Sequence, residues 1–260
     1  MTFRIEHDSL GEVRVPTDAY YGGQTARAAA NFTISGKKLQ PEFIRAYVMI
    51  KRAAAAANMS TRRLESRKGH AIIRACDEIL KGKLADQFVV DVYQAGAGTS
   101  TNMNVNEVIA NRSTELLGGK KGQYAVHPND HVNMAQSTND TFHSAMHVAA
   151  ALHIENELLP ALSQLQKSLG KKAKEFKDII KSGRTHLRDA VPITLGQEFS
   201  GYAFAIEKNI KRIESASSAL LELNLGGTAI GTGLNAEPKY AKQVYRELSR
   251  STKLKFKPSR

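Results

Sequence analysis

The sequence predicts an all-α protein in which a bundle of long helices follows a mixed domain. Three observations lead to this prediction. Apolar residues recur at steps of three and four across residues 152–180 and again across 195–221, which is the period of a helix with one buried face. The run FIRAYVMIKRAAAAANM, which starts at residue 43, consists mostly of strong helix formers. Residues 1–40, in contrast, mix turn formers with short extended pieces.

The first half of the chain divides into shorter elements. Glycine and proline residues interrupt residues 1–40 and leave no sustained period there. Pro41 suits the first turn of a helix, and a second helix over residues 70–81 should end near Gly82. A loop of small residues, 95–101, then precedes a helix that we expect to begin near Asn102.

The second half predicts two long helices packed side by side. Each would be ~40 Å long at about 1.5 Å per residue, and Pro160 should start or kink the first of them. A short helix over residues 238–250 and a basic segment follow. A two-helix hairpin exposes a large apolar face, so the bundle is incomplete on its own. We therefore expect other chains to cover that face in an oligomer.

Composition excludes several classes of protein. No apolar run approaches the ~20 residues that span a bilayer, so we expect no membrane partner. The N-terminus, MTFRIEHDSL, carries acidic residues where a secretion signal needs an apolar core, which predicts a cytoplasmic location. Cys76 is the one cysteine, which excludes an internal disulfide, and its amphipathic helical context predicts a buried structural thiol.

The net charge of +12 raises the possibility of a nucleic-acid partner. A basic helical nucleic-acid binder would need lysine and arginine clustered on one face with stacking aromatic residues. The basic residues are instead dispersed, and many lie near acidic residues on helix-like stretches. We expect solvated helix surfaces and no nucleic acid, and we keep the nucleic-acid binder as a rival from another functional class.

Three segments combine dense polar side chains with conformationally special residues: 94–111, 127–142 and 183–199. Asparagine and threonine at this density offer neutral donors and acceptors that orient carboxylates without adding charge. Two of the segments run into predicted helix starts, where free backbone amides bind anions. A helix start rich in these residues is often only a cap. Three such segments in one chain favour a binding site.

These segments resemble the first two signature regions and the GRTHL stretch of the fumarase/aspartase superfamily. The turn HPND at 127–130, the N-terminal RIEHDSLGEVRVPTDAYYGGQT and LGGTAIGTGLN at 225–235 extend the resemblance over nearly the whole chain. The resemblance implies long-helix domains that assemble as a homotetramer around a central bundle. It implies an N-terminal lyase domain at 1–138 and a partial central-bundle domain at 139–260. Each active site would then be shared between three subunits.

Within the superfamily, the pair Thr185-His186 resembles class II fumarases, whereas aspartases typically carry glutamine at the second position. QSTNDTF, at 136–142, is also closer to the fumarase pattern. Ala97 departs from it, because most class II fumarases have serine there, and the loop around it is found in aspartases too. The resemblance therefore favours reversible hydration of fumarate to malate, with aspartate ammonia-lyase as the alternative.

The resemblance also assigns roles to residues. His186 would handle protons of the water or hydroxyl, for which an imidazole is suited because its usual pKa is about 6.5. The implied substrate-binding residues are Ala97, Gly98, Thr99, Ser100, Ser137, Thr138, Asn139 and Thr185. His127, Asn129 and Asp130 match a second anion site near the active-site entrance, although HPND could equally be a turn with Asp130 as a helix cap.

We expect no metal and no other cofactor. His143 and His147 have a metal-ligand spacing, but HSAMH lacks the glutamate of a zinc protease motif. The family's third signature region, Gly-Ser-Ser-x-Met-Pro-x-Lys-x-Asn, does not occur in the 260 residues, and neither does the acidic residue that would orient His186. From this we expect a fragment with binding elements and negligible activity of its own, or a non-catalytic structural subunit that pairs with a complete lyase.

Overall fold

Helices dominate the computed structural model, which describes residues 2–8 and 10–259, and the predicted all-α class is confirmed. The α-helices of the described residues are α1 (Gly23–Asn31), α2 (Pro41–Ser60), α3 (Ser66–Leu80), α4 (Thr99–Leu116), α5 (Thr138–His153), α6 (Leu159–Glu175), α7 (Leu195–Ser217) and α8 (Tyr240–Thr252). The short strands are β1 (Phe3–Asp8), β2 (Gly11–Pro16), β3 (Ile180–Thr185), β4 (Arg188–Thr194), β5 (Glu222–Leu223) and β6 (Lys257–Pro258), paired two by two. None of the described helices is long and apolar enough to cross a membrane.

The chain folds as two compact units. The first comprises residues 1–149 together with 221–260, and the second comprises residues 150–220. The domain boundary between residues 138 and 139, which the family resemblance implies, refers to the domains of the full-length family fold. It stays a prediction.

Helix α2 is the centre of the first unit. It begins at Pro41, as predicted, and it packs against α3 and α8. Tyr47, Val48 and Ile50 are completely buried, and the alanines at 53–57 let the neighbouring helices approach closely. Cys76 on α3 is also completely buried, and burial raises the pKa of its thiol. The structural thiol predicted from the sequence is confirmed.

Helix α4 is buried along nearly its whole length although it is rich in asparagine. Its side chains tie distant loops to the core. Asn104 accepts a hydrogen bond from the Val89 amide (2.9 Å) and donates one to the Gln87 carbonyl (3.0 Å). Asn111 donates to the Tyr20 carbonyl at 2.8 Å. Much of the asparagine density in residues 94–111 therefore serves the fold and not a ligand.

Helix α1 was not predicted from the sequence, because the groups that stabilise its start are far away in the chain. Its N-cap, Gly22, makes no side-chain cap. Instead, buried Glu107 accepts hydrogen bonds from the backbone amides of Gly22 (2.8 Å), Gln24 (3.0 Å) and Thr25 (3.1 Å). A carboxylate at a helix N-terminus accepts hydrogen bonds from the free backbone amides and interacts favourably with the positive end of the helix dipole, so no local cap is needed.

The second unit contains α6, α7 and the antiparallel β3–β4 hairpin between them. The predicted helix over 152–180 ends earlier, at Glu175, and a π-turn over Ile154–Leu158 precedes Pro160 without ending the helical path. The predicted helix at 195–221 is confirmed over Leu195–Ser217, where Thr194 and Gln197 form a capping box.

Candidate active site

The first of the predicted carboxylate-binding segments lies at the start of α4. Gly98 is the N-cap and adopts a left-handed backbone conformation with φ +76°. The helix begins at Thr99, three residues before the predicted start at Asn102. A cap from outside the helix explains the difference, since Gln94 Oε1 accepts the backbone N–H of Thr101 at 2.9 Å.

Exposed donors remain at this helix start. Thr99 and Ala97 are exposed and Ser100 is half-buried. Within residues 2–8 and 10–259, no acceptor lies on the backbone N–H of Thr99 or Ser100. These two amides and the two hydroxyls are suited to an anion at the positive end of the helix.

Gly98→Ala should destabilise the protein strongly, because two penalties combine at this position. A Cβ atom would overlap the ring of Phe142, and φ is in the left-handed region that disfavours alanine. We expect the free energy of unfolding to fall by roughly 2–5 kcal/mol, from about 1–2 for the backbone and about 1–3 for overpacking. Urea denaturation of the 260-residue chain measures this loss.

The matched control is Gly96→Ala, where a Cβ meets no atom within 4 Å. Equal midpoints for both variants would contradict this account of Gly98.

The second carboxylate-binding segment lies at the start of α5. Ser137 Oγ accepts the backbone N–H of Asn139 at 3.2 Å, so the serine is a helix cap here. Asn139 is exposed, and its side chain donates to the Ala229 carbonyl at 2.8 Å. Thr138 is buried, at 9% exposure. The segment therefore has one exposed amide side chain, that of Asn139. The hydroxyl of Ser137 caps the helix, and Thr138 is buried in this chain.

Asp140 is a buried residue that connects this helix start to a distant loop. Its Oδ1 atom accepts the backbone N–H of Ser137 at 2.8 Å. Its Oδ2 atom accepts the amides of Gly226 (3.0 Å) and Thr228 (3.1 Å) from the GGT stretch. Burial raises the pKa of Asp140, while these three amides oppose the rise. The sequence did not show the link between Asp140 and residues 226–228.

A completely buried lysine, Lys51, is hydrogen-bonded to residues at the starts of both α4 and α5. The Nζ atom of Lys51 donates to Asn102 Oδ1 (2.7 Å), Asn133 Oδ1 (2.8 Å) and Gln136 Oε1 (3.0 Å). Tyr47 also donates to Asn102 Oδ1, at 3.0 Å. The sequence analysis missed this cluster. The available signal was a charged residue on the same face of a helix as buried Tyr47, four positions earlier.

Residues 127–130 form a turn in which histidine, and not aspartate, is the cap. His127 Nδ1 accepts the backbone N–H of Asp130 at 3.2 Å, and the π-turn Pro128–Val132 follows. Asn129 and Asp130 are exposed. His127 and Asn129 border a cavity of about 340 Å³. Its other lining residues include three carboxylates: Glu6, Asp8 and Glu107.

Thr185 and His186 lie in the other unit, at the turn of the β3–β4 hairpin. The sequence did not predict these strands. His186 and Leu187 both have a left-handed backbone, with φ +47° and +59°, as a two-residue hairpin turn requires. Thr185 and His186 are exposed, and Leu187 is 99% exposed. The hairpin therefore presents the histidine to solvent in this chain.

The structure thus groups the predicted residues into three places. The starts of α4 and α5 share the Lys51 cluster, the 127–130 turn borders its own cavity, and Thr185-His186 occupies the hairpin of the second unit. In the part of the chain that the structure describes, no group of three His, Cys, Asp or Glu side chains is placed to hold a metal ion.

Comparison with known proteins defines the class. A family model described as lyase matches residues 11–260, so the chain belongs to the lyase family. It is 51% identical to the class II fumarate hydratase of Nitrosomonas europaea, over 95% of this chain and 54% of that protein. It is 52% identical to the aspartate ammonia-lyase of Bacillus subtilis, over 95% of this chain and 52% of that protein. The chain spans about half the length of the curated relatives it matches.

Solved structures give the same result for the fold. A fumarate lyase:delta crystallin from Brucella melitensis, bound to cobalt, superimposes with a TM-score of 0.96 at 49% identity, covering 100% of this chain and 57% of that one. A class II fumarase from Schistosoma mansoni gives 0.94 at 40% identity, covering 97% and 53%. The resemblance to the fumarase/aspartase superfamily and its fold is confirmed.

Proposed function

We propose that the protein containing this chain catalyses the reversible hydration of fumarate to malate in the cytoplasm. The observation that supports this reaction most directly is Thr185-His186 at an exposed hairpin turn. Aspartases typically carry glutamine where His186 stands. Sequence identity alone does not separate the two reactions, because fumarases and aspartases match this chain at 51% and 52%.

In this proposal the polar helix starts hold the substrate. Fumarate carries two carboxylates, and two helix N-termini with hydroxyl and amide groups supply neutral donors and positive dipole ends for them. Thr99 and Ser100 serve at the start of α4, together with the backbone of Ala97 and Gly98. Ser137, Thr138 and Asn139 serve at the start of α5, and Thr185 at the hairpin.

His186 would take a proton from the attacking water, directly or through a second bound water, while the oxygen adds to one alkene carbon. The neighbouring carbon then becomes a carbanion, whose charge spreads into the adjacent carboxylate and needs nearby donors. By resemblance, a serine of the third signature region exchanges the proton at that carbon. That region is absent from the 260 residues, so the complete site requires a further segment.

We further propose a homotetramer whose subunits share each active site. Large apolar side chains on the helical unit are partly exposed, which supports burial against other copies. They include Leu158, Leu165, Tyr202 and Phe204, with exposures between 41% and 58%.

A second anion site at His127, Asn129 and Asp130 is also part of the proposal. The cavity beside these residues contains Glu6, Asp8 and Glu107. Carboxylates repel an anion, although Glu6 and Glu107 already accept hydrogen bonds from backbone amides. An anion there would rely on the exposed edge formed by the histidine and asparagine.

Aspartate ammonia-lyase is the second candidate function, and the 52% identity to the Bacillus subtilis enzyme supports it. Both reactions remove or add a group across the same four-carbon dicarboxylate. The same carboxylate-binding residues would therefore serve either reaction.

The test uses a completed chain, in which residues 1–260 are followed by the part of the Nitrosomonas europaea enzyme beyond the match. We expect the ultraviolet absorbance of fumarate to fall when this protein is added. A second completed chain takes its remainder from the Bacillus subtilis aspartate ammonia-lyase, and hydration by both would assign the specificity to residues 1–260.

Other outcomes of the assay decide between the candidates. Ammonia release from aspartate without hydration by the first completed chain establishes the aspartase alternative. A folded completed chain that performs neither reaction rejects both proposals, and circular dichroism establishes that it is folded.

A further inference from the structure

Lys51 lies completely buried in the middle of α2, and the proposed reaction gives it no role. A buried ammonium is costly unless it is fully hydrogen-bonded. The three acceptors of Lys51 are neutral amide oxygens, and none is a carboxylate. Because all three hydrogen-bonded partners are neutral, Lys51 forms no ion pair within the described part of the chain that would stabilise the fold. We therefore interpret the buried ammonium as a group that holds the three amide side chains in place.

The hydrogen bonds of the three amides fix their orientation. Asn102 Nδ2 donates to Asn133 Oδ1 (3.2 Å), Asn133 Nδ2 donates to the Gln136 carbonyl (3.2 Å), and Gln136 Nε2 donates to the Val132 carbonyl (3.0 Å). Each amide oxygen therefore points to Lys51 Nζ. Three acceptors require three N–H donors, which only the protonated amine supplies.

The surrounding titratable groups act on this proton in opposite directions. Burial lowers the pKa of Lys51 to about 7, while the carboxylate of Asp140 on α5 acts to raise it. The Tyr47 ring also lies 5.2 Å from Nζ, in cation–π range.

The oxygens that hold Lys51 belong to the segments that hold the proposed substrate. Asn102 is in the first turns of α4, three residues after Thr99, and Gln136 directly precedes Ser137. We propose that Lys51 is a positioning residue that keeps the first turns of α4 and α5 in the arrangement that binds the two substrate carboxylates. This inference rests on the proposed function. Lys51 has no route to the substrate itself and acts through these two helix starts.

The kinetic test compares Lys51→Met with wild type in the completed chain. Methionine keeps the apolar stem and removes the ammonium. Because the helix starts bind both carboxylates before the reaction begins, a disturbed arrangement weakens substrate binding, and we expect KM for fumarate to rise about tenfold while kcat stays within about threefold. The matched control is Asn104→Ala, a buried polar residue on α4, the helix of Asn102, that holds residues 87–89 instead. It should lower stability and leave KM within about twofold.

A second measurement does not depend on catalysis. Hydrogen exchange of the 260-residue chain should become faster in Lys51→Met for peptides covering 98–104 and 133–142, and Asn104→Ala should leave 133–142 unchanged. If Lys51→Met does not fold, Lys51→Gln, which keeps two donors on a shorter side chain, replaces it in both measurements.

The outcomes separate this inference from the proposed function. An inactive wild-type completed chain rejects the function, and the exchange measurement then decides whether Lys51 positions the helix starts. An active wild type with an unchanged KM and unchanged exchange in the lysine variant overturns the inference alone. A tenfold KM increase shared by Asn104→Ala also overturns it, because the effect would then be general destabilisation.

Discussion

His186→Asn in the completed chain is expected to lower kcat for fumarate hydration by at least about 100-fold, the usual contribution of a positioned acid or base. Asparagine is the suitable replacement because it tolerates a left-handed backbone better than most residues, and His186 has φ +47° at the hairpin turn. The substitution therefore removes the imidazole while the turn keeps its shape. Initial rates at saturating fumarate give the effect.

An exposed histidine elsewhere provides the control for this variant. His70 on α3 is exposed, and its ring Nδ1 is hydrogen-bonded to the Ser66 carbonyl of the same helix at 2.8 Å. His70→Asn should leave kcat within about twofold of wild type. If His186→Asn retains kcat within about threefold, His186 has no part in the mechanism. The preference for fumarase over aspartase then loses its main support.

Asp140→Ala is expected to lower the free energy of unfolding by roughly 3 kcal/mol or more. The carboxylate is completely buried and accepts three backbone amides, from Ser137, Gly226 and Thr228. Alanine leaves these amides without their acceptor, at about 1–3 kcal/mol for each that water does not reach. Urea denaturation of the 260-residue chain, followed by circular dichroism, gives the difference in midpoint.

Asp130 is the matched control for Asp140. It lies ten residues earlier, and its side chain is 75% exposed. Asp130→Ala should change the free energy of unfolding by no more than about 0.5 kcal/mol, as expected for an exposed position. If the midpoint of Asp140→Ala matched that of the control, the three amides would have to find other partners, and the link to residues 226–228 would not stabilise the fold.

The sequence placed the main helices because their signals are local. The start of α2 at Pro41 and the end of α3 near Gly82 follow from the backbone restrictions of proline and glycine, which need no partner. The three/four spacing also predicted α7 correctly over most of its length. Periodicity failed over 176–194, since β3 and β4 stabilise each other by pairing across a turn.

The candidate site shows the same limit. The density of asparagine and threonine in residues 94–111 was read as ligand binding, whereas Asn104 and Asn111 tie loops to the core. Composition records which donors and acceptors are present but not where they point. A resemblance to known motifs identified Thr99, Asn139 and His186 as candidates, and the roles of these residues remain predictions.

The sequence by itself determined the class of fold, the family and the segments that carry polar chemistry, because periodicity and motif are properties of neighbouring residues. Only the tertiary structure decided how the helix starts are supported. Glu107 caps α1 from more than eighty residues away, Asp140 reaches residues 226–228, and Lys51 gathers oxygens from Asn102 and Gln136. Buried polar groups require partners wherever the fold brings them, and those partners are distant in the chain.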